Sequence, residues 1–346
     1  MENIALDVHK HYTWARVENA EGQQLYASRL DHSRGSIKNF VQRWTPGSPV
    51  AVETVGNWYW VVDEIEAGGG KPQLVNARLA KLMMGNINKS DKLDAKGMNL
   101  LQRTGTLPTV WIPSSAVRDA RELPRGRMML SRQRTQLKNR VHATLSKYGY
   151  TVDEVNDAFS KRGRKIINEL VTKLPPHTAR SLQRMLDQLD SVMDNLKAIE
   201  ADMIKAFSPC PQTTWLQSLP GVGQILAVVI WTEIGSIDRF NRAEQLASYS
   251  GLVAREHSSG GKFHYGAVRR DVNVYLKWAF VEAASSAILH CERCGYQHVS
   301  QLYQRIKPRR GYNRAKVAVA RHLSEASFWM LKKGEPYREP LLSTQR

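Results

Sequence analysis

Cysteine is scarce in this chain: Cys210, Cys291 and Cys294 are the only three among 346 residues. That excludes a disulfide framework and leads us to expect a reducing, cytoplasmic setting. Long apolar runs are also missing. The best, Ile225 to Trp231, is far short of the roughly 20 residues a helix needs to cross a bilayer, so no membrane association is expected. Glu2 and Asp7 interrupt the N-terminus where a secretory signal would place a basic region and an apolar stretch, so none is expected. Negative charge is in deficit, with 32 Asp and Glu against 50 Lys and Arg and a net charge of +18. Such a surplus does not speak to fold, but it favours a polyanionic partner. No solenoid repeat and no low-complexity tract occurs. What remains is globular composition, 42% hydrophobic and 24% charged, in a chain long enough for about two domains of roughly 100–200 residues each.

The first 112 residues read as strands alternating with helices. Ile4 to Val8 opens as a short apolar strand; Thr13–Val17 and Gln24–Leu30 follow as two strands joined by a turn at Asn19-Ala-Glu-Gly22. Ile37, Phe40, Val41 and Trp44 share a helical face, and Pro49 to Glu53 is a further strand. A helix through Trp58 and Ile65 stops at Gly68-Gly-Gly70; the strand Gln73–Val75, a helix near Leu93–Arg103 and the strand Thr109–Trp111 complete the unit. Three successive strands followed by alternation predict an α/β layer with a mixed sheet. Residues 113–210 read as a basic helical linker. Between Ala116 and Ile166 it has 13 Lys and Arg against five Asp and Glu, and Leu182 to Met203 carries a coiled-coil-like seam at spacings of three and four. Pro124 and Pro175-Pro176 divide this stretch into several helices. Residues 211–335 form a second, mainly helical globular unit, and 336–346 a frayed tail.

Four acids stand where a metal-dependent phosphodiester enzyme would place them. Asp7 and Glu53 end strands, while Asp91 and Asp94 are three apart at a helix start and so share a face. Carboxylate oxygens hold the hard cation Mg²⁺, and two ions about 3.5–4 Å apart stabilise attacking and leaving oxygens together. Each acid alone reads equally as a surface carboxylate or a cap, Asp91 beside Ser90 above all. Taken jointly, they point to an RNase H-like nuclease domain.

Three segments then become specific: Ile4-Ala-Leu-Asp7-Val-His-Lys10, Val52-Glu53-Thr-Val-Gly56-Asn-Trp-Tyr59 and Asn88-Lys-Ser-Asp91-Lys-Leu-Asp94-Ala95. They resemble the RuvC-like domain of a family of prokaryotic insertion-sequence transposases named for an Asp-Glu-Asp-Asp tetrad. The resemblance continues through Leu219-Pro-Gly-Val-Gly223, Ile234-Gly235, Arg239-Phe240, Gln245-Leu246, Gly251-Leu252 and Ser259-Gly260, and covers nearly the whole chain. It implies an RNase H-like N-terminal domain, the helical linker and a C-terminal transposase domain. Ser258-Ser259-Gly260-Gly261-Lys262 by composition is a Ser/Gly turn in a basic neighbourhood of Arg255, Lys262, Arg269, Arg270 and Lys277. The resemblance implies that Ser259, the serine just before the glycine, is a nucleophile, with Ser258 as its neighbour. Two positions depart from the family: Ala254 replaces a usual proline, and Val272 a usual glycine.

Several features carry competing readings. Leu219-Pro-Gly-Val-Gly223 reads either as a packing turn or as a helix-hairpin-helix turn offering N–H groups to phosphate. Cys291, Cys294 and His298 have ligand-like spacing, but without a second Cys or His pair nearby they read as thiols and not as zinc ligands. Trp58, Tyr59 and Trp60 read as helix packing. Arg305 to Arg321 carries seven basic residues and no acid, among them Arg305, Lys307, Arg309, Arg310 and Arg314, and reads as a phosphate-contacting surface.

The function the resemblance implies is DNA recombination that moves an insertion element, guided by a non-coding bridge RNA pairing with target and donor DNA. Base pairing would choose sequence while the protein reads backbone and shape. Mg²⁺ on Asp7, Glu53, Asp91 and Asp94 would assist attack by Ser259, giving a covalent phosphoserine, with composite sites in a dimer that pairs into a tetramer. Two alternatives stand beside it: a metal-only RuvC-like nuclease or junction resolvase with a structural serine, and a non-catalytic nucleic-acid-binding protein.

Overall fold

The computed structural model describes residues 1–340 except 55, 86–89, 209, 261, 269–270 and 295–296; of residues 256, 257, 259, 262–265, 267 and 291–294 it describes the backbone alone. The chain divides into two compact units, Met1–Pro113 and Ser114–Arg346.

The first unit is built on a five-stranded mixed sheet, as the strand pattern predicts. β1 (Asn3–Val8), β2 (Tyr12–Glu18) and β3 (Gln24–Asp31) form an antiparallel meander. After α1 (Ser36–Val41), β4 (Pro49–Glu53) pairs with β1 in parallel; after α2 (Trp58–Ala67), β5 (Lys71–Val75) pairs with β4, giving the order β3-β2-β1-β4-β5. α3 (Ala77–Met84) and α4 (Asp91–Arg103) complete the unit.

The period of two along each strand sorts the faces. Ile4, Leu6 and Val8, with Val50 and Val52, pack against Ile37, Phe40, Val61 and Ile65 of α1 and α2. The other face is lined by the small Ala5 and Ala51, with Val75, which admit Ala95, Met98 and Leu101 of α4. Gly97 makes room where α3 meets α4: a Cβ there would lie 2.0 Å from the Met84 sulfur, and that flexible side chain would have to move. By the same alternation Asp7 and Glu53 belong to the α4 face. Trp58 and Trp60 pack partly buried against the α1–α2 side, which fits their reading as packing residues.

Two elements differ from expectation. Thr109–Trp111 is not a strand; Thr109 makes one isolated bridge to Val75. Pro108 and Pro113 flank the segment, and proline can neither donate to nor extend a ladder. α3 was not foreseen, because Leu79, Leu82 and Met83 remain exposed and blur its periodicity.

The second unit is helical apart from one hairpin. α5 (Ser115–Ala120), α6 (Glu122–Ser146), α7 (Lys161–Thr172) and α8 (Pro176–Ala206) come first. Leu182, Leu186, Leu189, Val192, Leu196 and Met203 supply the buried seam of α8, whose N-terminal end shares a core with Val141 and Leu145 of α6 and Ile167 of α7. α9 (Pro211–Gln217), α10 (Gln224–Ile234) and α11 (Ala243–Tyr249) lead into the hairpin β6 (Ala254–Ser259) and β7 (Lys262–Val268). α12 (Val274–Cys294), α13 (Gln297–Arg310) and α14 (Tyr312–Lys333) close a core around Phe280, Leu323 and Phe328. No helix among the described residues is long and apolar enough to cross a membrane.

Candidate active site

The acid cluster is assembled by register and by one helix. β1 carries Asp7, 6% exposed, one step beyond the Leu6–Val52 pair that sets β4 beside it, so Glu53 ends the neighbouring strand. α4 begins at Asp91 and carries Asp94 in its first turn, where the helix dipole favours negative charge. Ser90 provides the cap, its Oγ accepting the Leu93 N–H at 3.3 Å. Asp91 is therefore not the cap, and its carboxylate turns to the cluster instead.

There Asp91 Oδ2 accepts a hydrogen bond from the Tyr12 hydroxyl at 2.9 Å and lies 3.1 Å from His9 Nε2, which is 3.3 Å from Asp7 Oδ2. One donor atom from each of Asp7, His9 and Asp91 falls within 4.8 Å of the others. His9 Nε2 is a buried atom without a hydrogen-bond partner, since its approach to either carboxylate lacks the alignment of a hydrogen bond. Asp7 is pushed up to about 6, chiefly by loss of hydration; His9 opposes the shift, while the negative charges of Asp91 and Asp94 add to it. The hydrogen bond to Asp91 likewise holds the Tyr12 phenol above its ordinary range.

Asp7 and Asp91 thus come together, and Asp94 lies within electrostatic reach of them. Glu53 sits half-buried at the end of β4 and is engaged with its surroundings. This donor set, hard carboxylate oxygens closing on a buried unpartnered nitrogen, fits a divalent cation. His9 and Tyr12 were missed as functional residues. For His9 the signal was available: it stands two residues beyond Asp7, on the same side of an extended chain.

Ser259 ends β6 and pairs in register with Lys262 at the start of β7, so the Ser/Gly turn lies at the tip of the hairpin. Gly260 has φ +56, the left-handed conformation such turns demand. Ser258 is exposed and Arg255 half-buried. The side chains of Ser259 and Lys262 lie outside the described residues, as do Arg269 and Arg270 entirely. Val272, at the usual glycine position, packs across Gly251, where a Cβ would meet it at 2.5 Å.

The hairpin returns to the core through Asn273. Asn273 Oδ1 accepts the Tyr275 and Leu276 N–H groups at the start of α12, and its Nδ2 donates to Glu233 Oε2 at 2.8 Å. Glu233 is fully buried on α10 and accepts a forked pair from Arg125 of α6, Nε to Oε1 at 2.7 Å and Nη2 to Oε2 at 3.0 Å. Arg121 donates to the Thr232 and Glu233 carbonyls. Nothing in the sequence singled out this network, because its partners lie far apart along the chain.

The turn Leu219–Gly223 is a packing turn. Gly221 has φ +74, and a Cβ on it would lie 2.0 Å from the Ala283 carbonyl oxygen of α12. Cys291 and Cys294 side chains are outside the described residues, while the His298 ring lies against His322, tilted, at 4.4 Å. Arg305, Lys307, Arg309 and Arg310 on α13 and Arg314 on α14 are all exposed and form no ion pair with described residues. Tyr303 and Tyr312 stand among them, overlain by Lys307 at 5.3 Å and Lys316 at 5.1 Å. Unneutralised cations interleaved with aromatics suit a nucleic-acid backbone.

Comparison with known proteins places two family models on the chain, the first running past the end of the first unit into α6 and beyond. Residues 4–150 match the DEDD transposase model of the IS110 type, and residues 213–300 match the Transposase IS116/IS110/IS902 family. The transposase for insertion sequence element IS1111A of Coxiella burnetii is 28% identical over 255 residues, 72% of this chain and 69% of that protein. The probable family 20 transposase of Pseudomonas aeruginosa is 23% identical, over 98% of this chain and 99% of its own. The transposase for insertion sequence element IS1328 of Yersinia enterocolitica is 23% identical over 85% of each chain.

Proposed function

We propose that this chain, which belongs to the IS110/IS116 transposases and carries both of their domains, is a bridge-RNA-guided recombinase that exchanges target and donor DNA strands through a phosphoserine. The observation that carries the reading is the convergence of Asp7 and Asp91, distant in sequence, on one buried imidazole nitrogen. We read the sheet order and this acid cluster as an RNase H-like nuclease core.

Asp7, Glu53, Asp91 and Asp94 would hold Mg²⁺, which when bound supplies positive charge at the scissile phosphate and its leaving oxygen. Tyr12 orients Asp91, and the buried Asp7 keeps its carboxylate away from bulk water. The Ser259 hydroxyl oxygen attacks phosphorus and loses its proton to a base; the bond to the 3′ oxygen breaks, and that oxygen takes up a proton. The product is a phosphoserine and a free 3′-hydroxyl for strand exchange. Cations from Arg255 and Lys262 on the hairpin and from Arg269 and Arg270 just beyond it offset the phosphate charge. Those at the α13–α14 turn hold RNA or duplex by backbone. A dimer pairing into a tetramer around two DNAs completes the reading.

Reconstitution tests it. Full-length protein with Mg²⁺, the element's RNA and both DNAs should yield joined donor–target strands. Nicked strands never joined, at a rate indifferent to the RNA, would instead indicate a metal-only nuclease.

A further inference from the structure

We infer that His9 supplies a nitrogen ligand to the cation held by Asp7 and Asp91, and so sets which divalent ion the site prefers. This inference rests on the cation-site reading given above and names a residue outside the tetrad.

The geometry is that of a held ligand. The backbone around His9 is pinned: its N–H donates to the Tyr12 carbonyl at 2.9 Å, and its own carbonyl accepts Asn57 Nδ2 at 3.1 Å. The Tyr12 ring lies against the imidazole at 4.6 Å. The Nε2 atom so placed is buried, makes no aligned hydrogen bond, and lies 3.1 and 3.3 Å from oxygens of two carboxylates. Neighbouring ligands of one ion with bonds of about 2.1 Å stand roughly 3.0–3.4 Å apart, so these separations match a shared ion. Tyr12 takes one lone pair of Asp91 Oδ2 and leaves the other directed inward, the part an outer residue plays in orienting a metal ligand.

An all-oxygen set treats Mg²⁺ and Mn²⁺ alike, whereas imidazole adds affinity for transition ions. The site should therefore bind Mn²⁺ more tightly than Mg²⁺, and His9 should be the cause. The competing role for His9 is an ion-pair partner that neutralises the two acids and is displaced when a cation binds.

Pulsed electron paramagnetic resonance of Mn²⁺ added alone to the full-length protein separates the two roles. The expected result is ¹⁴N coupling on the bound ion, lost in His9→Gln and retained in Tyr12→Phe. Calorimetry should show the Mn²⁺ dissociation constant rising at least about 10-fold in His9→Gln, since losing a direct ligand costs no less than losing an outer partner, with that of Mg²⁺ changing less than about threefold. If His9→Gln does not fold, the wild type decides, through the presence of ¹⁴N coupling and its loss with the ion in Asp91→Asn. Bound Mn²⁺ with no ¹⁴N coupling, or coupling that persists in His9→Gln, overturns the inference and leaves the carboxylate site standing. Mn²⁺ binding absent in the wild type, or indifferent to Asp91→Asn, overturns the carboxylate site and this inference with it.

Discussion

The two units solve opposite positioning problems. In the first, strand register and one capped helix bring Asp7, His9 and Asp91 together at a partly buried point before any substrate arrives. Burying a carboxylate there is costly, and the raised Asp7 records that cost, chiefly its lost hydration and secondarily the charges of Asp91 and Asp94. In the second, the serine motif ends one strand of a two-stranded hairpin with exposed Ser258 and Gly260. A two-stranded hairpin has little stability of its own. Its anchor is at the far end, where Asn273 ties the returning chain to Glu233 and Arg125. The contrast teaches that the acid site is set by packing beneath it, whereas the serine lies at a hairpin tip, remote from the buried polar network that ties down the chain after β7.

The largest effect that sharpens this contrast is expected at Glu233. Glu233→Ala takes from the buried Arg121 and the half-buried Arg125 the carboxylate they share, and losing one member of a buried pair costs up to about 3–5 kcal/mol. Thermal unfolding of the full chain should show the loss in the second unit alone, with Mn²⁺ binding unchanged. A parallel loss of Mn²⁺ binding would break the distinction.

A smaller effect concerns pH. Burial first, then His298, lowers His322 to about 4 from an ordinary 6.5. Between those values the unfolded chain binds the extra proton, so stability from this residue is present above about pH 6.5 and lost as pH falls towards 4. The expected size is of order 1–3 kcal/mol, seen as a steeper acid limb than that of His322→Gln. Asp7 runs the other way: raised to about 6 from 3.8, it binds its proton more readily folded, so its contribution grows as pH falls across that window. Asp7→Asn should therefore steepen the acid limb while His322→Gln flattens it. Equal limbs in the two variants would contradict these assignments.

The smallest effect is at the α13–α14 turn. Arg309→Ala should lower the slope of log affinity against log salt by about one and weaken binding evenly across sequences. A sequence-dependent loss would mean that Arg309 reads bases.

How far the sequence revealed these regions follows from how local each signal is. The mixed sheet was legible because strand alternation is a short-range pattern, and Asp7, Glu53, Asp91 and Asp94 stand out as candidates because they fall at or near element ends. Thr109–Trp111 misled because an apolar triplet looks like a strand until its flanking prolines deprive it of a ladder. The β6–β7 hairpin was hidden by its polar sequence, Ala254 to Ser259, which lacks apolar alternation. The offset of His9 from Asp7 is visible in the sequence, but it gains weight only once Asp91 folds against it. The Glu233 network was invisible, since α6, α10 and the start of α12 meet only in the folded chain.

The central claim is that the acids and the serine belong to one reaction, and trapping the protein on labelled DNA midway tests it most directly. Wild type and Ser258→Ala should give a band that survives denaturation and disappears on nuclease treatment. Ser259→Ala should give none, because alanine lacks the attacking oxygen. Asp91→Asn should give roughly 10²–10³-fold less, with RNA binding intact, because charge stabilisation at the phosphate is weakened. DNA cleavage at full rate without an adduct in any variant would contradict the claim and leave hydrolysis by metal-activated water.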